Sequence, residues 1–110
     1  MAKLEATLHG NFSAILNAID TAVLEGSFTA SLEDESHFQS SSGRCVLRVY
    51  ERYSALGGNR VSLNLTLVGS GRELFLSAIT SGGSQAMFFK INTWGEEAFL
   101  DRVRELIESL

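Results

Sequence analysis

The sequence contains no proline and only one cysteine, Cys45, among its 110 residues. A single cysteine excludes an intramolecular disulfide and a zinc site built from several cysteines. No run of 18 apolar residues occurs, so the sequence lacks the pattern of a bilayer-spanning helix, and we expect no membrane among the partners. Residues 1–10 lack the apolar run of a signal peptide, which leads us to expect a cytoplasmic protein.

Basic residues are also few. Nine Lys and Arg stand against 13 Asp and Glu, which gives a formal net charge of −4. Nucleic-acid-binding domains usually carry a strongly basic surface, so we expect no nucleic acid among the partners. With 45% hydrophobic and 20% charged residues, the composition is that of a single globular domain over residues 1–110. A chain of this length can bury a core without a disulfide or a metal.

Two amphipathic helices are predicted, one near each end of the chain. The first covers residues 12–24, where apolar residues recur at spacings of three and four, with Asn11 as N-cap and Gly26 at the C-terminal end. The second begins at a capping box formed by Thr93 and Glu96. Its apolar stripe consists of Phe99, Leu100, Val103, Leu106, Ile107 and Leu110.

Six strands are predicted from alternation between apolar and polar residues and from turns rich in glycine and serine. They cover residues 3–8, 27–38, 44–53, 60–68, 72–80 and 85–92. With the helices they give the order β-α-β-β-β-β-β-α. Because both helix stripes need one apolar sheet face, we predict an α+β two-layer sandwich, an antiparallel sheet with both helices on one face.

This order of elements resembles the TATA-box-binding-protein-like and helix-grip topologies, in which a strand and a helix precede an antiparallel meander and a C-terminal helix lies on the sheet. Two stretches, RVYERYSALGGNRVSLNLTL and ITSGGSQAMFFKINTWGEEAFL, are similar to a family of small uncharacterised bacterial proteins of unknown function. The family resemblance implies no activity, and the helix-grip resemblance implies only a place for a ligand, between the C-terminal helix and the sheet.

The two faces of the predicted sheet differ in composition. The face toward the helices is expected to carry the apolar residues Phe28, Ala30, Leu32, Cys45, Leu47, Val49, Val61, Leu63, Leu65, Leu67, Leu74, Leu76, Ala78, Met87, Phe89 and Ile91. Cross-strand rows follow from two-residue turns at Ser70–Gly71 and Gly82–Gly83, a turn near Ser40–Ser41, and Arg52 opposite Arg60. One row then reads Glu33, Arg48, Asn64, Ser77, Phe88. These rows give the opposite face a polar centre with large apolar flanks. Such a face is unusual for a fully solvated sheet, so we predict that it binds a partner.

The predicted binding residues on that opposite face are Arg48, Tyr50, Asn64, Phe75, Ser77, Ile79 and Phe88. We expect the three apolar residues Phe75, Ile79 and Phe88 to form one patch covered by another chain or a ligand. Arg48 and Tyr50 are expected to supply polar contacts at its rim.

Three arginines, Arg44, Arg48 and Arg52, recur on one face of the third predicted strand. Such a stripe could hold a carboxylate or a phosphate through paired donors. Alternatively, the arginines pair across to Glu33 and Glu35 on the neighbouring strand, as opposite charges on adjacent strands commonly do. The second interpretation is the one we favour.

The sequence carries no catalytic motif. His9 and His37 have no metal-ligand spacing, and the glycines of residues 81–84 are explained by a hairpin turn. Cys45, with aliphatic neighbours, is expected to be buried and unreactive. We therefore predict no catalytic residue, no metal site and no cofactor.

Three functions remain open, of which an enzyme is the least favoured because the sequence lacks a motif for it. The first is a non-enzymatic interaction or assembly module that uses the outer sheet face to bind a second copy or another protein. The alternative is a small-molecule binding protein, for an anionic or apolar ligand, with a pocket between the C-terminal helix and the sheet. The first is favoured, because large aliphatic residues fill the inner face and leave little room for a pocket of roughly 300 Å³.

Overall fold

The computed structural model describes residues 2–26, 29–53, 60–82 and 100–109. The elements are β1 (Ala2–His9), α1 (Phe12–Glu25), β2 (Ser31–Ser40), β3 (Gly43–Tyr53), β4 (Arg60–Ser70), β5 (Glu73–Gly82) and α2, residues 100–109. All neighbouring strands are antiparallel, in the order β1-β5-β4-β3-β2. The predicted α+β fold is confirmed. The predicted strand at 85–92 and the capping box of Thr93 and Glu96 lie outside the described residues.

Helix α1 begins where the sequence predicts. The side chain of Asn11 accepts a hydrogen bond from the backbone N–H of Ala14 at 2.9 Å, which satisfies one of the free amides of the first turn. Gly26 ends the helix with a right-handed φ of −75°, so no left-handed cap requires glycine here. A Cβ at position 26 would lie 2.9 Å from Cγ of Arg102, and glycine therefore permits the close approach of α1 and α2.

One hydrophobic core joins both helices to one face of the sheet. Helix α1 contributes Ile15, Leu16, Ile19 and Val23, and α2 contributes Leu100 and Val103. The sheet contributes Ala2, Leu8, Val46, Tyr50, Val61, Leu63, Leu65, Leu67, Leu74, Leu76 and Ala78. Both helices thus lie on the same face, as predicted. Below, the helix face is this covered side of the sheet and the outer face is the opposite side.

The position of β1 corrects the predicted strand order. The sequence-based rows place residues 85–92 beside β5, with Phe88 next to Ser77. In the structure β1 pairs with β5 along residues 73–80, so that Glu5 lies opposite Ser77, and β4 occupies the other edge of β5. Because a strand has only two edges, the predicted row is wrong, and Asn64 lies opposite Ile79 instead of Ser77. Phe88 itself lies outside the described residues.

The predicted register between β3 and β4 is wrong by one residue, so the two faces of β3 are also assigned wrongly. The prediction pairs Arg52 with Arg60, whereas Arg52 lies opposite Val61 in the structure. Since side chains alternate, a slip of one residue exchanges the two faces of a strand. Val46 and Tyr50 therefore face the helices. The predicted core residues Cys45, Leu47 and Val49 lie on the outer face instead.

The two described hairpin turns are each shifted from their predicted positions. Ser41 and Ser42 connect β2 to β3, and Gly71 and Arg72 connect β4 to β5. Gly71 has φ of +64°, a left-handed conformation that favours glycine. The second turn is displaced by one residue from the predicted Ser70–Gly71 pair, and the register between β4 and β5 therefore moves by two residues. Because side chains alternate with a period of two, the faces of β4 and β5 remain as predicted.

Strand β2 forms an edge of the sheet, and all ten of its residues are exposed. Its pairing with β3 shifts at a β-bulge between Leu32 and Asp34. Beyond the bulge Glu35, not Glu33, lies opposite Arg48. None of the helices in the described ranges has the length and hydrophobicity that a membrane span requires.

Candidate functional site

A row of apolar side chains crosses the outer face at one end of the sheet. Phe38, Cys45, Val68 and Phe75 lie directly opposite one another on β2, β3, β4 and β5. Leu47 lies on the same face in the adjacent row. We call Phe38, Leu47, Val68 and Phe75 the outer-face patch. Their exposed fractions are 67%, 47%, 41% and 41%, so large apolar side chains meet solvent together here.

The centre of the outer face carries no charge. Its nine central residues are Cys45, Leu47, Val49, Asn64, Thr66, Val68, Phe75, Ser77 and Ile79. Charged side chains of this face stand at the margins, with Lys3 and Glu5 on β1, Asp34 on β2, and Glu51 and Glu73 near strand ends. Depletion of charge at the centre, with charge around it, is typical of protein interfaces.

The predicted binding residues separate into three groups. Asn64, Phe75, Ser77 and Ile79 lie together on the outer face, where Asn64 Nδ2 donates to the carbonyl of Ile79 at 3.4 Å. Arg48 and Tyr50 do not join them, because the slip in β3 turns both toward the helices. Phe88 lies outside the described residues.

Sequence reasoning missed three of the four patch residues. Val68 continues the alternation of Ser62, Asn64 and Thr66 onto the outer face, so this residue could have been found from the sequence. Leu47 and Phe38 could not, because the first depends on the register of β3 and the second on the position of the β2–β3 turn.

Arg48 is the centre of an ionic network on the helix face. Its guanidinium donates to Glu35 through Nε, and Nη1 lies 3.3 Å from Oδ1 of Asp20 and 3.4 Å from the hydroxyl of Tyr50. The Tyr50 hydroxyl in turn donates to Asp20 at 2.6 Å. The network joins α1, β2 and β3, and the Arg48 side chain is only 16% exposed.

The electrostatics of the network favour a structural role. Burial raises the pKa of Tyr50 well above its usual range, and the hydrogen bond to Asp20 adds to the shift. Burial acts against the charge of Arg48, but hydrogen bonds with Tyr50 and Glu35 outweigh it and raise the pKa of the guanidinium. With two carboxylates already paired to it, Arg48 holds elements together and is not available to an anionic ligand.

The raised pKa of Tyr50 predicts a loss of stability at alkaline pH. Below the usual tyrosine pKa of about 10 the phenol is protonated in both states. Above it, only the unfolded chain loses the proton, so the free energy of unfolding falls by about 1.4 kcal/mol per pH unit from this residue. Urea unfolding of Tyr50→Phe between pH 9 and 11 should lack this component.

Tyr53→Phe is the matched control for that experiment, because Tyr53 is 54% exposed. It should retain the alkaline loss seen in the wild type. Equal pH dependence in the wild type and Tyr50→Phe would contradict the role assigned to the buried hydroxyl.

The three arginines of β3 share the helix face but have different surroundings. Arg48 pairs with Glu35, as the favoured interpretation of the sequence requires, whereas Glu33 lies 3.9 Å from Arg60. Burial lowers the pKa of Arg52. Arg44 contacts no carboxylate in the part of the chain that the structure describes. The stripe is therefore not one site.

The remaining candidates for chemistry are the possible metal ligands and Cys45. Within residues 2–26, 29–53, 60–82 and 100–109, no group of three His, Cys, Asp or Glu could hold a metal ion. Cys45 is a free thiol, half-buried on the outer face and not in the core as the sequence predicts.

Comparison with known proteins gives a family without a function. Residues 1–110 match the sequence profile of DUF6054, a family of unknown function. No curated protein and no solved structure matches the chain.

Proposed function

The chain belongs to this family of unknown function, and we propose that it is a non-enzymatic assembly module that binds a second copy of itself through the outer face. One observation carries the proposal: four large apolar side chains form the outer-face patch, and three of them belong to the nine uncharged central residues of that face. Two such faces can pack against each other about 10 Å apart, as in β-sandwiches.

The size of the face suits a dimer. The five strands of the described residues, spaced by about 4.8 Å and each rising about 3.3 Å per residue, make a face of roughly 24 Å by 30 Å, or about 700 Å². A stable interface of standard size buries about 800 Å² on each partner. Packing of two outer faces would therefore use most of the sheet surface.

The distribution of charge favours a second copy over a charged partner. In a dimer with twofold symmetry, residues near the axis meet the same residues of the other chain. A charged centre would repel itself, and the net charge of −4 makes most other surfaces unfavourable for self-contact. The nine central residues of the outer face bring no charge to such an axis.

Replacing Phe75 by Asp should weaken self-association while the monomer stays folded. Phe75 lies in the outer-face patch, away from the core. A carboxylate in the centre of the interface should raise the dissociation constant at least tenfold. Sedimentation equilibrium across a concentration series measures this, and circular dichroism checks the fold.

Thr21→Asp is the control, because it adds the same charge at an exposed position of α1. It should leave the dissociation constant unchanged. A wild-type chain that is monomeric at all concentrations would overturn the proposal, and so would a Phe75→Asp variant that associates normally.

Cys45 gives a second measure of the same surface. Its thiol lies between Phe38 and Val68 in the apolar row. If two outer faces pack together, the rate of thiol alkylation should fall as protein concentration rises through the dissociation constant. In the Phe75→Asp variant the rate should not depend on concentration.

The alternative function, a small-molecule pocket between α2 and the sheet, remains a prediction from the helix-grip resemblance. Three clefts that the described residues line contain no residue of α2. As expected from the sequence, we propose that this module is a cytoplasmic protein of bacterial origin.

A further inference from the structure

A cleft of about 280 Å³ lies at one end of the sheet, apart from the central outer face. It is lined by Phe12 at the start of α1, by Arg44 of β3, and by serine and glycine residues of the β2–β3 and β4–β5 hairpins. None of its ten lining residues is acidic, although 13 of the 110 residues of the chain are Asp or Glu. Arg44 is the one charged residue among the described residues that line it.

Arg44 is held in place by neutral partners. Its Nε donates to Nε2 of His37 at 3.0 Å, and Nη1 donates to the hydroxyl of Ser13 at 2.9 Å. The guanidinium also lies over the ring of Phe12, 4.4 Å from its centre. None of these three partners is a carboxylate, so none of these contacts neutralises the arginine.

Several donors of Arg44 remain for a ligand. A guanidinium has five N–H groups, and the contacts with His37 and Ser13 use two of them. Within the described ranges no carboxylate takes the others. Arg44 differs in this from Arg48, which has two carboxylate partners. It is therefore a positive charge at the edge of a cleft that has no counter-ion among the described residues.

Two glycines that line the cleft, Gly43 and Gly69, lie too close to their neighbours to carry a side chain. A Cβ at position 43 would lie 2.7 Å from the carbonyl oxygen of Gly69. A Cβ at position 69 would lie 2.5 Å from a methyl carbon of Leu74 and 2.8 Å from the ring of Phe12. Both positions thus favour glycine, and their backbone forms the surface beside Arg44.

We propose that this cleft binds the phosphate group of a small soluble phosphate ester, with Arg44 as its charged partner. A phosphate has three oxygen acceptors pointing in different directions, which suits a guanidinium on one side and serine hydroxyls on others. Ser41 and Ser42, which line the cleft from the exposed β2–β3 turn, would supply those hydroxyls. The cleft is larger than a phosphate group, so there is room for part of the ester.

Inorganic phosphate is the first probe, titrated into ¹⁵N-labelled full-length protein at constant ionic strength. We expect saturable shifts of the amide signals of Ser41, Ser42, Gly43 and Gly71, with smaller shifts at the outer face. Acetate at the same concentration should shift them less, because a planar carboxylate uses fewer of the donors. Glycerol 3-phosphate should bind at least as tightly as inorganic phosphate.

Arg44→Gln should weaken phosphate binding at least tenfold. The matched control is Arg72→Gln, which removes the same charge from an exposed turn residue that does not line the cleft. If Arg44→Gln fails to fold, Ser41→Asp tests the same site, because it places a carboxylate in the exposed turn and should abolish binding.

Three results would overturn the proposal. The first is the absence of saturable shifts with phosphate, and the second is equal binding of acetate and phosphate. The third is unchanged affinity in a folded Arg44→Gln or Ser41→Asp variant. None of these measurements depends on whether the chain self-associates, so this site and the proposed function can fail separately.

Discussion

Replacing Val46 by lysine is expected to lower the free energy of unfolding by more than about 4 kcal/mol, whereas the same change at Leu47 should cost less than about 1 kcal/mol. Val46 is 2% exposed on the helix face, and Leu47 is 47% exposed on the outer face. A lysine at position 46 must bury a charge, and its neighbours on the same face are Arg44 and Arg48. A lysine at position 47 keeps its charge in water.

Urea unfolding of the two variants, followed by circular dichroism, measures the difference. The two substitutions add the same side chain to adjacent positions of one strand, so each controls for the other. If Leu47→Lys is the more destabilised variant, then the sequence-based assignment of faces in β3 is right after all. Leu47→Lys should also weaken self-association, since Leu47 belongs to the outer-face patch.

Replacing Arg48 by methionine should lower the free energy of unfolding by about 2–3 kcal/mol. Methionine retains the apolar stem of the side chain but leaves Asp20 and Glu35 without their cation. Both carboxylates are partly exposed, which keeps the loss below that of a fully buried pair. The hydroxyl of Tyr50 still donates to Asp20 and limits the damage further.

The same experiment on Asp20→Asn and on the double variant tests whether these residues act together. We expect the double variant to lose less stability than the sum of the single changes, because each single change already disrupts the network. Arg60→Met is the control: its ion pairs with Glu33 and Glu51 involve an arginine that is 55% exposed, and surface pairs contribute about 0–1 kcal/mol. Additive losses from Arg48 and Asp20 would contradict the network.

Local patterns were sufficient for much of the fold. Helix α1 could be predicted with its N-cap at Asn11, since the cap and the apolar stripe act within a few residues of each other. Strand β4 could be assigned with its faces, because Val61, Leu63, Leu65 and Leu67 alternate with polar residues and all four are buried. In these segments propensity, pattern and packing agree.

Strand β3 could not be assigned to its faces from its own residues. Cys45, Leu47 and Val49 make one side of it apolar, and the other side alternates arginines with Val46 and Tyr50. Because burial of an unpaired charge is costly, the sequence alone favours the side with the arginines as the one exposed to solvent. The structure turns them toward the helices because Asp20, on a distant element, supplies a partner for Arg48. Only the assembled fold brings that carboxylate near.

The strand order and the candidate site depend on the same kind of long-range information. The pairing of β1 with β5 joins segments about seventy residues apart, and no local pattern indicates it. The outer-face patch depends on a β3–β4 register that differs from the expected one by one residue. It also depends on the β2–β3 and β4–β5 registers, which differ by two because the turns lie at Ser41–Ser42 and Gly71–Arg72. The sequence therefore indicates that an apolar outer face exists, but not which residues form its row.

The pairing of β1 with β5 also has a consequence for how the chain is made. Synthesis produces β1 and α1 first, but among the described strands β1 pairs only with β5, whose residues 73–80 are added much later. Closing so long a loop costs conformational entropy. This cost is offset only when β1 can pair with a sheet that has already formed. We therefore expect the nascent chain to remain unfolded until β5 has left the ribosome. Chains that end within the β4–β5 hairpin should then be rapidly degraded by proteases.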